Sequence, residues 1–294
     1  MEKSQLESYT KAGKIAGQVR EYGKSMIKPG ASVLEIVEKI EDKIKELGGE
    51  PAFPAQISLN ETAAHYCPDE NDKTILKDEV ICLDVGVSVD GFIGDTACTV
   101  DLSGNNSKLV LASEEALKNA IAIVKPGVKI CEIGRVIKET ITEHGFRPVK
   151  NLSGHGLDQY NIHDFPTIPN YDNEDDTELE ENQVIAIEPF ATTGIGMIGE
   201  KGFANVFQLV QIRPVRSSIT REVLEEIASY NGMPFTLRWL TKKFGMKARF
   251  AMKELKNLEC IKEYPPLVEK SNGLVSQAEH TILVKENPVV LTEV

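Results

Sequence analysis

The feature that most constrains the fold of this chain is an internal repeat. Lys28-Pro29-Gly30 precedes a run with isoleucine at positions 36, 40 and 44 and glycine at 48, and Lys125-Pro126-Gly127 precedes a second run of the same form. Each matching position is displaced by 97 residues. Isoleucines at i, i+4 and i+8 form one stripe of an amphipathic helix, and the glycine is placed to end that helix.

A second match, displaced by 104 residues, extends the repeat beyond these helices. The apolar run that ends in Asp84 resembles the apolar run that ends in Glu188. Each half is therefore predicted to contain two helices and then strands, with the first helices at 6–27 and 107–124. We predict a duplicated α+β domain whose halves span about 1–105 and about 106–206 plus 267–294, with a site between the halves.

The dipeptide Asp90-Gly91 predicts a tight hairpin turn between two apolar strands. In a two-residue turn, Gly86 faces Asp95, and Asp84 lies diagonal to Asp95 on the same face of the ribbon. Diagonal neighbours are roughly 7 to 8 Å apart, a separation that two metal ions about 3.5 to 4 Å apart could bridge. A surface hairpin with two solvated aspartates is the alternative, but unpaired carboxylates are costly in so apolar a ribbon.

Residues 207–266 differ from both halves and are predicted to be a helical insertion. Helical segments are expected near 220–231, 233–244 and 247–258, and their apolar side chains are expected to form a small separate core. Six lysine and arginine residues between 242 and 256 make this region locally basic. These residues either form a solvated face or contact a ribosome.

Composition excludes several classes of protein. A net charge of -12 opposes binding to DNA or to an anionic membrane. The five cysteines form no Cys-x-x-Cys pair, and most lie in apolar runs, as reduced core cysteines do. No segment has the length and apolarity of a signal peptide or a membrane helix, so we expect a cytoplasmic protein.

Three further residues are candidate partners for Asp84 and Asp95. They are His155 between two glycines, Glu188 before a proline, and Glu279 in a strand-like run after the insertion. Each alone could be an ordinary turn or strand residue. Together they give four carboxylates and one imidazole, and two divalent cations would balance the four negative charges. One imidazole among oxygen ligands suits Mn, Fe, Co or Zn and argues against a magnesium or calcium site.

In this order, and with the long insertion before the last ligand, the five residues resemble those of type II methionine aminopeptidases of the archaeal short form. The resemblance covers nearly the whole chain and includes Phe53-Pro54, His65, Gly154-His155, Ile162-His163 and Ile187-Glu188-Pro189-Phe190. It implies the pita-bread fold, a duplicated α+β unit. It also implies removal of the N-terminal methionine from nascent proteins and peptides.

The resemblance further implies a role for each site residue. Asp84 binds one metal ion through both oxygens, Asp95 and Glu279 bridge two ions, and His155 and Glu188 complete the other. His65 and His163 contact the substrate and the developing tetrahedral centre. Phe53 and Ile162 line the pocket for the methionine side chain, and the chain is expected to be a monomer.

We hypothesise that a water molecule held between the two ions attacks the first peptide bond, with Glu188 as the general base. One alternative is an Xaa-Pro aminopeptidase or prolidase. That alternative is weaker because such enzymes carry an additional N-terminal domain, whereas this sequence starts about thirty residues before the repeat. The other alternative is a non-catalytic binding protein of the same fold, in which metal ligands are missing.

Overall fold

The computed structural model describes all 294 residues, which form seven helices and eighteen strands. The helices are α1 (Lys3–Met26), α2 (Val33–Glu46), α3 (Ser107–Ile123), α4 (Ile130–Glu143), α5 (Ser218–Ser229), α6 (Leu237–Phe244) and α7 (Lys247–Asn257). The strands are β1 (Glu50–Pro51), β2 (Gln56–Leu59), β3 (Thr62–Ala64), β4 (Val80–Val89), β5 (Phe92–Asp101), β6 (Arg147–Pro148), β7 (Ser153–Asp158), β8 (Asn161–Pro169), β9 (Val184–Ile187), β10 (Phe190–Thr192), β11 (Ile198–Glu200), β12 (Val206–Leu209), β13 (Phe235–Thr236), β14 (Ile261–Tyr264), β15 (Leu267–Glu269), β16 (Val275–Gln277), β17 (His280–Leu283) and β18 (Val289–Val290).

The predicted repeat of helices is confirmed. Helices α2 and α4 both have 14 residues, and their bounds are displaced by the 97 residues found in the sequence. Gly48 and Gly145 follow these helices with φ angles of 80° and 84°, a left-handed conformation that ends a helix and that glycine adopts without strain. The isoleucine stripes face inward, so each pair of helices covers one side of a sheet.

Each half has its own sheet and its own apolar core. In the first half, β4 pairs with β1, β2 and β5, and in the second half five strands lie in the order β18-β17-β9-β7-β8. Three sheets of three strands complete the fold: β16-β10-β6, β11-β15-β3 and β13-β12-β14. Each half buries a cluster of 19 apolar residues, as expected for a duplication in which both copies must stabilise themselves by burial.

The predicted hairpin is confirmed with its register. Asp90 and Gly91 have φ angles of 53° and 85°, the positive values that a two-residue type I′ turn requires. Val89 pairs with Phe92, Gly86 pairs with Asp95, and Asp84 pairs with Ala97. Asp84 is therefore the diagonal neighbour of Asp95, and both side chains emerge on the same face of the ribbon.

The insertion is not wholly helical, which corrects the prediction. Strand β13 occupies Phe235–Thr236, so the helix predicted at 233–244 begins only at Leu237. Strand β12 pairs with both β13 and β14. In such short segments the local preference for helix or strand is weak, so these pairings decide the conformation. The Thr236 side chain accepts a hydrogen bond from the Arg238 backbone and starts α6. A separate core of 12 buried residues lies between Phe207 and Ile261.

A buried ion pair fixes the insertion to the first half. The Arg238 guanidinium donates two hydrogen bonds to the Glu41 carboxylate, at 2.8 and 2.7 Å, and the Trp239 indole donates a third at 2.8 Å. Arg238 is only 1% exposed. Such a bidentate contact sets the orientation of α6 against α2. None of the seven helices is both long and apolar enough to cross a membrane.

Candidate metal centre

A cavity of about 250 Å³ lies between the two halves and the insertion. The structure brings into its wall all the site residues predicted from the sequence: Phe53, His65, Asp84, Asp95, His155, Ile162, His163, Glu188 and Glu279. They come from strands or strand ends of both halves. The predicted site between the halves therefore corresponds to a real cavity.

Asp95 and Glu279 are held next to each other by backbone hydrogen bonds between the halves. The Glu279 backbone N–H donates to the Ala97 carbonyl at 3.0 Å, and the Thr96 hydroxyl donates to the Glu279 carbonyl at 2.8 Å. The Asp95 N–H and carbonyl both bond to the Thr281 hydroxyl, at 2.7 and 2.8 Å. Because these bonds leave both carboxylates free, the two side chains point into the cavity from adjacent segments.

His155 and Glu188 are contributed by the second half. His155 lies in the middle of β7 and pairs with Ala186 in β9, two residues before Glu188. The Nε2 atom of His155 is 3.7 Å from Oε1 of Glu188. When Nδ1 carries the proton it donates to the Gly156 carbonyl at 3.1 Å, and Nε2 then keeps a lone pair for a metal ion.

The glycines next to His155 allow strands to approach closely and do not form a turn. A Cβ atom at Gly154 would lie 2.2 Å from the Ala186 carbonyl oxygen, and one at Gly156 would lie 2.2 Å from the Phe165 carbonyl oxygen. At Gly86, a Cβ atom would lie 2.2 Å from the Phe53 ring. The Phe53 ring therefore packs directly against the backbone at Gly86.

Burial raises the pKa values of all four carboxylates, and repulsion by neighbouring carboxylates raises three of them further. Burial raises the pKa of Asp84 to about 7. Burial, followed by the charge of Asp84, raises the pKa of Asp95 well above its ordinary value. Glu188 and Glu279 have raised pKa values for the same reasons, burial first and neighbouring carboxylates second. Four such groups ionise together only when cations share the cavity.

The donor set fits divalent metal ions. The Oδ1 atoms of Asp84 and Asp95 are buried without any hydrogen-bond partner, a costly state for a carboxylate oxygen. One ligand atom from each of Asp95, His155 and Glu279 lies within 4.8 Å of the others. Carboxylates with one imidazole are typical ligands of divalent transition metals.

The two other predicted histidines lie in the same cavity wall. Burial lowers the pKa of His65 to about 4, and it also lowers the pKa of His163, so both rings are neutral at pH 7. The His163 ring meets the His155 ring edge-on at 4.7 Å. His65 has a φ angle of 66°, and its backbone N–H donates to the Gln56 side chain at 2.6 Å. The cavity wall thus carries two neutral imidazole rings, each with one N–H donor, and one of them lies beside the proposed ligand His155.

The structure adds residues that the sequence gave no reason to choose. Gln277 is 1% exposed, and its amide donates to Oε2 of Glu188 at 3.2 Å. Val206, Pro234 and Tyr264 of the insertion and its border also line the cavity. Gln277 ends β16, two residues before Glu279, and this proximity in the sequence is the one signal that points to it. Nothing in the spacing of the insertion predicts its contribution to the wall.

The chain belongs to metallopeptidase family M24, whose model matches residues 7–286. It is therefore a metal-dependent hydrolase. Its relatives include the methionine aminopeptidases of Methanocaldococcus jannaschii, 44% identical over 98% of this chain and 99% of that protein, and of Archaeoglobus fulgidus, 44% identical over 97% of each. The resemblance seen in the sequence is confirmed.

Solved structures confirm the pita-bread fold. A methionine aminopeptidase from Thermotoga maritima superposes with a TM-score of 0.74 at 22% identity, covering 100% of this chain and 98% of that one. A thermophilic Arx1 superposes with a TM-score of 0.87 at 17% identity, and the match covers 100% of this chain and 92% of that one. A prolidase from Pyrococcus furiosus superposes with a TM-score of 0.64 at 22% identity, and the match covers 100% of this chain but only 65% of the prolidase.

Proposed function

We propose that this enzyme removes the N-terminal methionine from proteins and peptides. The observation that carries the proposal is a cluster of four carboxylates and one imidazole in a cavity that Phe53, Ile162 and other apolar side chains also line. The volume of about 250 Å³ is below the roughly 300–1,000 Å³ of drug-sized pockets and suits a single side chain with the amide that follows it. The names of the archaeal relatives agree with this activity.

We propose Asp84, Asp95, His155, Glu188 and Glu279 as the ligands of two divalent ions, of Co, Mn, Fe or Zn. When bound there, such ions act as Lewis acids and make water acidic at neutral pH. Asp95 and Glu279 approach from adjacent segments, and with His155 their ligand atoms lie close enough together that they would hold an ion jointly. The raised pKa values of the free carboxylates mean that cation binding also releases protons from the cavity.

We propose that Glu188 transfers a proton from the attacking water to the leaving amine. Its Oε2 atom accepts a hydrogen bond from Gln277, which fixes the carboxylate and leaves Oε1 directed toward His155. A carboxylate with a raised pKa both accepts a proton from water and returns it to the leaving amine. We propose that His65 and His163, whose pKa values are lowered so that both are neutral at pH 7, donate N–H bonds to the carbonyl oxygen on which negative charge develops.

Phe53 and Ile162 are proposed to bind the methionine side chain. They are 6% and 8% exposed and belong to the same apolar cluster between the halves. An unbranched thioether fills such an irregular apolar pocket well. The free α-amino group of the substrate then binds at the acidic cluster. Because an internal amide nitrogen cannot take its place, cleavage is restricted to the first peptide bond.

The experiment is methionine release from Met-Gly and Met-Ala peptides by protein loaded with Mn²⁺ or Co²⁺, with metal content measured in parallel. We expect two metal ions in each chain, and excess chelator should abolish release. Asp84→Asn should lose activity, whereas Asp90→Asn, at the exposed tip of the same hairpin, should keep it. Methionine release in excess chelator, or none with bound metal, would reject the proposal.

A prolidase-like activity is not favoured, because the prolidase likeness rests on 22% identity, against 44% for the archaeal relatives. A non-catalytic role is disfavoured by the competent side chains at all five ligand positions. We propose that nascent chains in the cytoplasm are the substrates and that a monomer suffices, since one chain supplies the whole cavity wall. Lys242, Lys243, Arg249 and Lys256 pair with carboxylates of this chain, which weakens the case for ribosome contact through the insertion.

A further inference from the structure

Lys262 lies at the rim of the candidate metal cavity. It is an exposed residue of β14, on the same side of the strand as Tyr264, two residues later. Tyr264 lines the cavity, and its ring meets the His65 ring edge-on at 5.6 Å. The Lys262 ammonium lies 4.5 Å from the centre of the Tyr264 ring, a cation–π contact that holds the charge over the aromatic face.

This ammonium has no anionic partner within the protein. Other basic residues of the insertion do have one: Lys256 pairs with Glu263 at 2.7 Å, and Lys243 pairs with Glu226 at 2.5 Å. The side chain of Lys262 forms neither an ion pair nor a hydrogen bond, although the chain carries a net charge of -12. Its charge nevertheless acts on residues of the cavity, since after burial it is a further cause of the lowered pKa of both His65 and His163.

His163 is exposed and Tyr264 is half-buried, and both line the cavity, so the cavity meets solvent on their side. In the proposed function the N-terminal amine of a peptide binds at the acidic cluster, and the chain after the first peptide bond would leave the cavity past these two residues. We propose that Lys262 is a specificity-determining residue that favours a carboxylate downstream of the cleaved bond. The carboxylate belongs either to an acidic side chain or to the C-terminus of a short peptide. This inference rests on the proposed aminopeptidase function.

The expected preference is modest because the pair is exposed to water. An exposed ion pair corresponds to roughly a 1.5- to 5-fold change in a rate or binding ratio. Screening should reduce this preference at high salt, since the Debye length falls from about 10 Å at 0.1 M to about 3 Å at 1 M.

The test compares kcat/KM of the Mn²⁺-loaded enzyme for Met-Ala-Glu, Met-Ala-Gln and Met-Ala-Lys peptides followed by neutral residues and a C-terminal amide. The wild type should prefer the glutamate peptide over the lysine peptide about two- to fivefold. Lys262→Gln should remove this preference, and Lys262→Glu should reverse it. Free-acid and amide forms of Met-Ala-Gln distinguish the terminal carboxylate from an acidic side chain.

The matched control is Lys253→Gln. Lys253 is exposed and unpaired on α7 and does not line the cavity, so this variant should leave the preference unchanged. A preference that persists in Lys262→Gln, or that is absent from the wild type at low salt, would overturn the inference. If even the neutral peptide is not cleaved, the proposed function fails separately. The affinities of the same peptides, measured by fluorescence anisotropy, then still decide whether Lys262 selects for a carboxylate.

Discussion

Buried carboxylates occupy two contrasting environments in this molecule. In the cavity, Asp84 and Asp95 each have an oxygen without a partner, and their pKa values are raised. Glu269, which is 1% exposed, accepts hydrogen bonds from Ile195, Gly196, Ser271 and Gly273. Burial alone would raise the pKa of Glu269, but these hydrogen bonds outweigh it and lower the pKa to about 2.

Glu41 belongs with Glu269, because its charge is matched by Arg238. The contrast teaches that burial alone does not identify a functional carboxylate. A buried carboxylate whose partners are all supplied by the protein stabilises the fold, whereas one left without partners is available for a cation or a substrate. Substitution should therefore affect the two groups in opposite ways.

The largest effect is expected for Glu188→Gln in the cavity. Loss of the proton acceptor should lower kcat by about 10²- to 10⁴-fold, while the melting temperature stays close to that of the wild type. Steady-state kinetics with Met-Ala peptides and a melting curve measure both quantities. Turnover close to wild type would place Glu188 with the structural carboxylates.

The next largest effect should come from Glu41→Leu, which leaves the buried Arg238 guanidinium unpaired. We expect a loss of about 3–5 kcal/mol in the free energy of unfolding, measured by urea denaturation. The double variant Glu41→Leu/Arg238→Met should recover much of this loss because no buried charge remains. Equal stability of the single and double variants would contradict this account of the pair.

Glu269→Gln should cost about 2–3 kcal/mol at pH 7, since a neutral amide cannot accept all the hydrogen bonds of the carboxylate. The folded pKa lies below the unfolded value of about 4.3, so the carboxylate stabilises the fold above that pH and ceases to do so as pH falls toward 2. Melting temperatures of both proteins should converge between pH 4.5 and pH 2.5. A gap that stays constant with pH would show that the ionised form is not needed.

The smallest effect on stability is expected for Asp84→Asn in metal-free protein. Removal of one of several crowded carboxylates should leave the free energy of unfolding unchanged or raise it by up to about 1 kcal/mol. Addition of Mn²⁺ should raise the melting temperature of the wild type more than that of the variant. Melting curves in chelator and in Mn²⁺ give both comparisons. A clear loss of stability in chelator would mean that Asp84 is structural.

The sequence predicted those parts of the fold that local patterns determine. Asp90-Gly91 is a strong turn signal, and it fixed the register that places Asp84 diagonal to Asp95. The repeat in α2 and α4 was readable because both helices present the same apolar stripe. The convergence of His155, Glu188 and Glu279 depends on contacts between distant segments, so residue chemistry made them candidates and the resemblance to a known family supplied the role of each.

What the sequence missed depends on tertiary contacts with no local signal. Strand β13 has two residues and forms only because β12 lies beside it. Gln277 became a candidate only when its amide was found next to Glu188. In the same way, nothing in the spacing of Pro234 and Tyr264 shows that the insertion also borders the cavity.

The way in which the insertion joins the fold has an evolutionary consequence. Its first and last strands, β12 and β14, pair directly, with Val206 opposite Tyr264, and both residues line the cavity. The two ends of the insertion and Pro234 thus border the cavity, and none of the three helices contributes a lining residue. Outside the contacts that Arg238, Trp239, Lys242 and Arg249 make with the first half, we expect the surface of those helices to change without altering the substrate range of the enzyme.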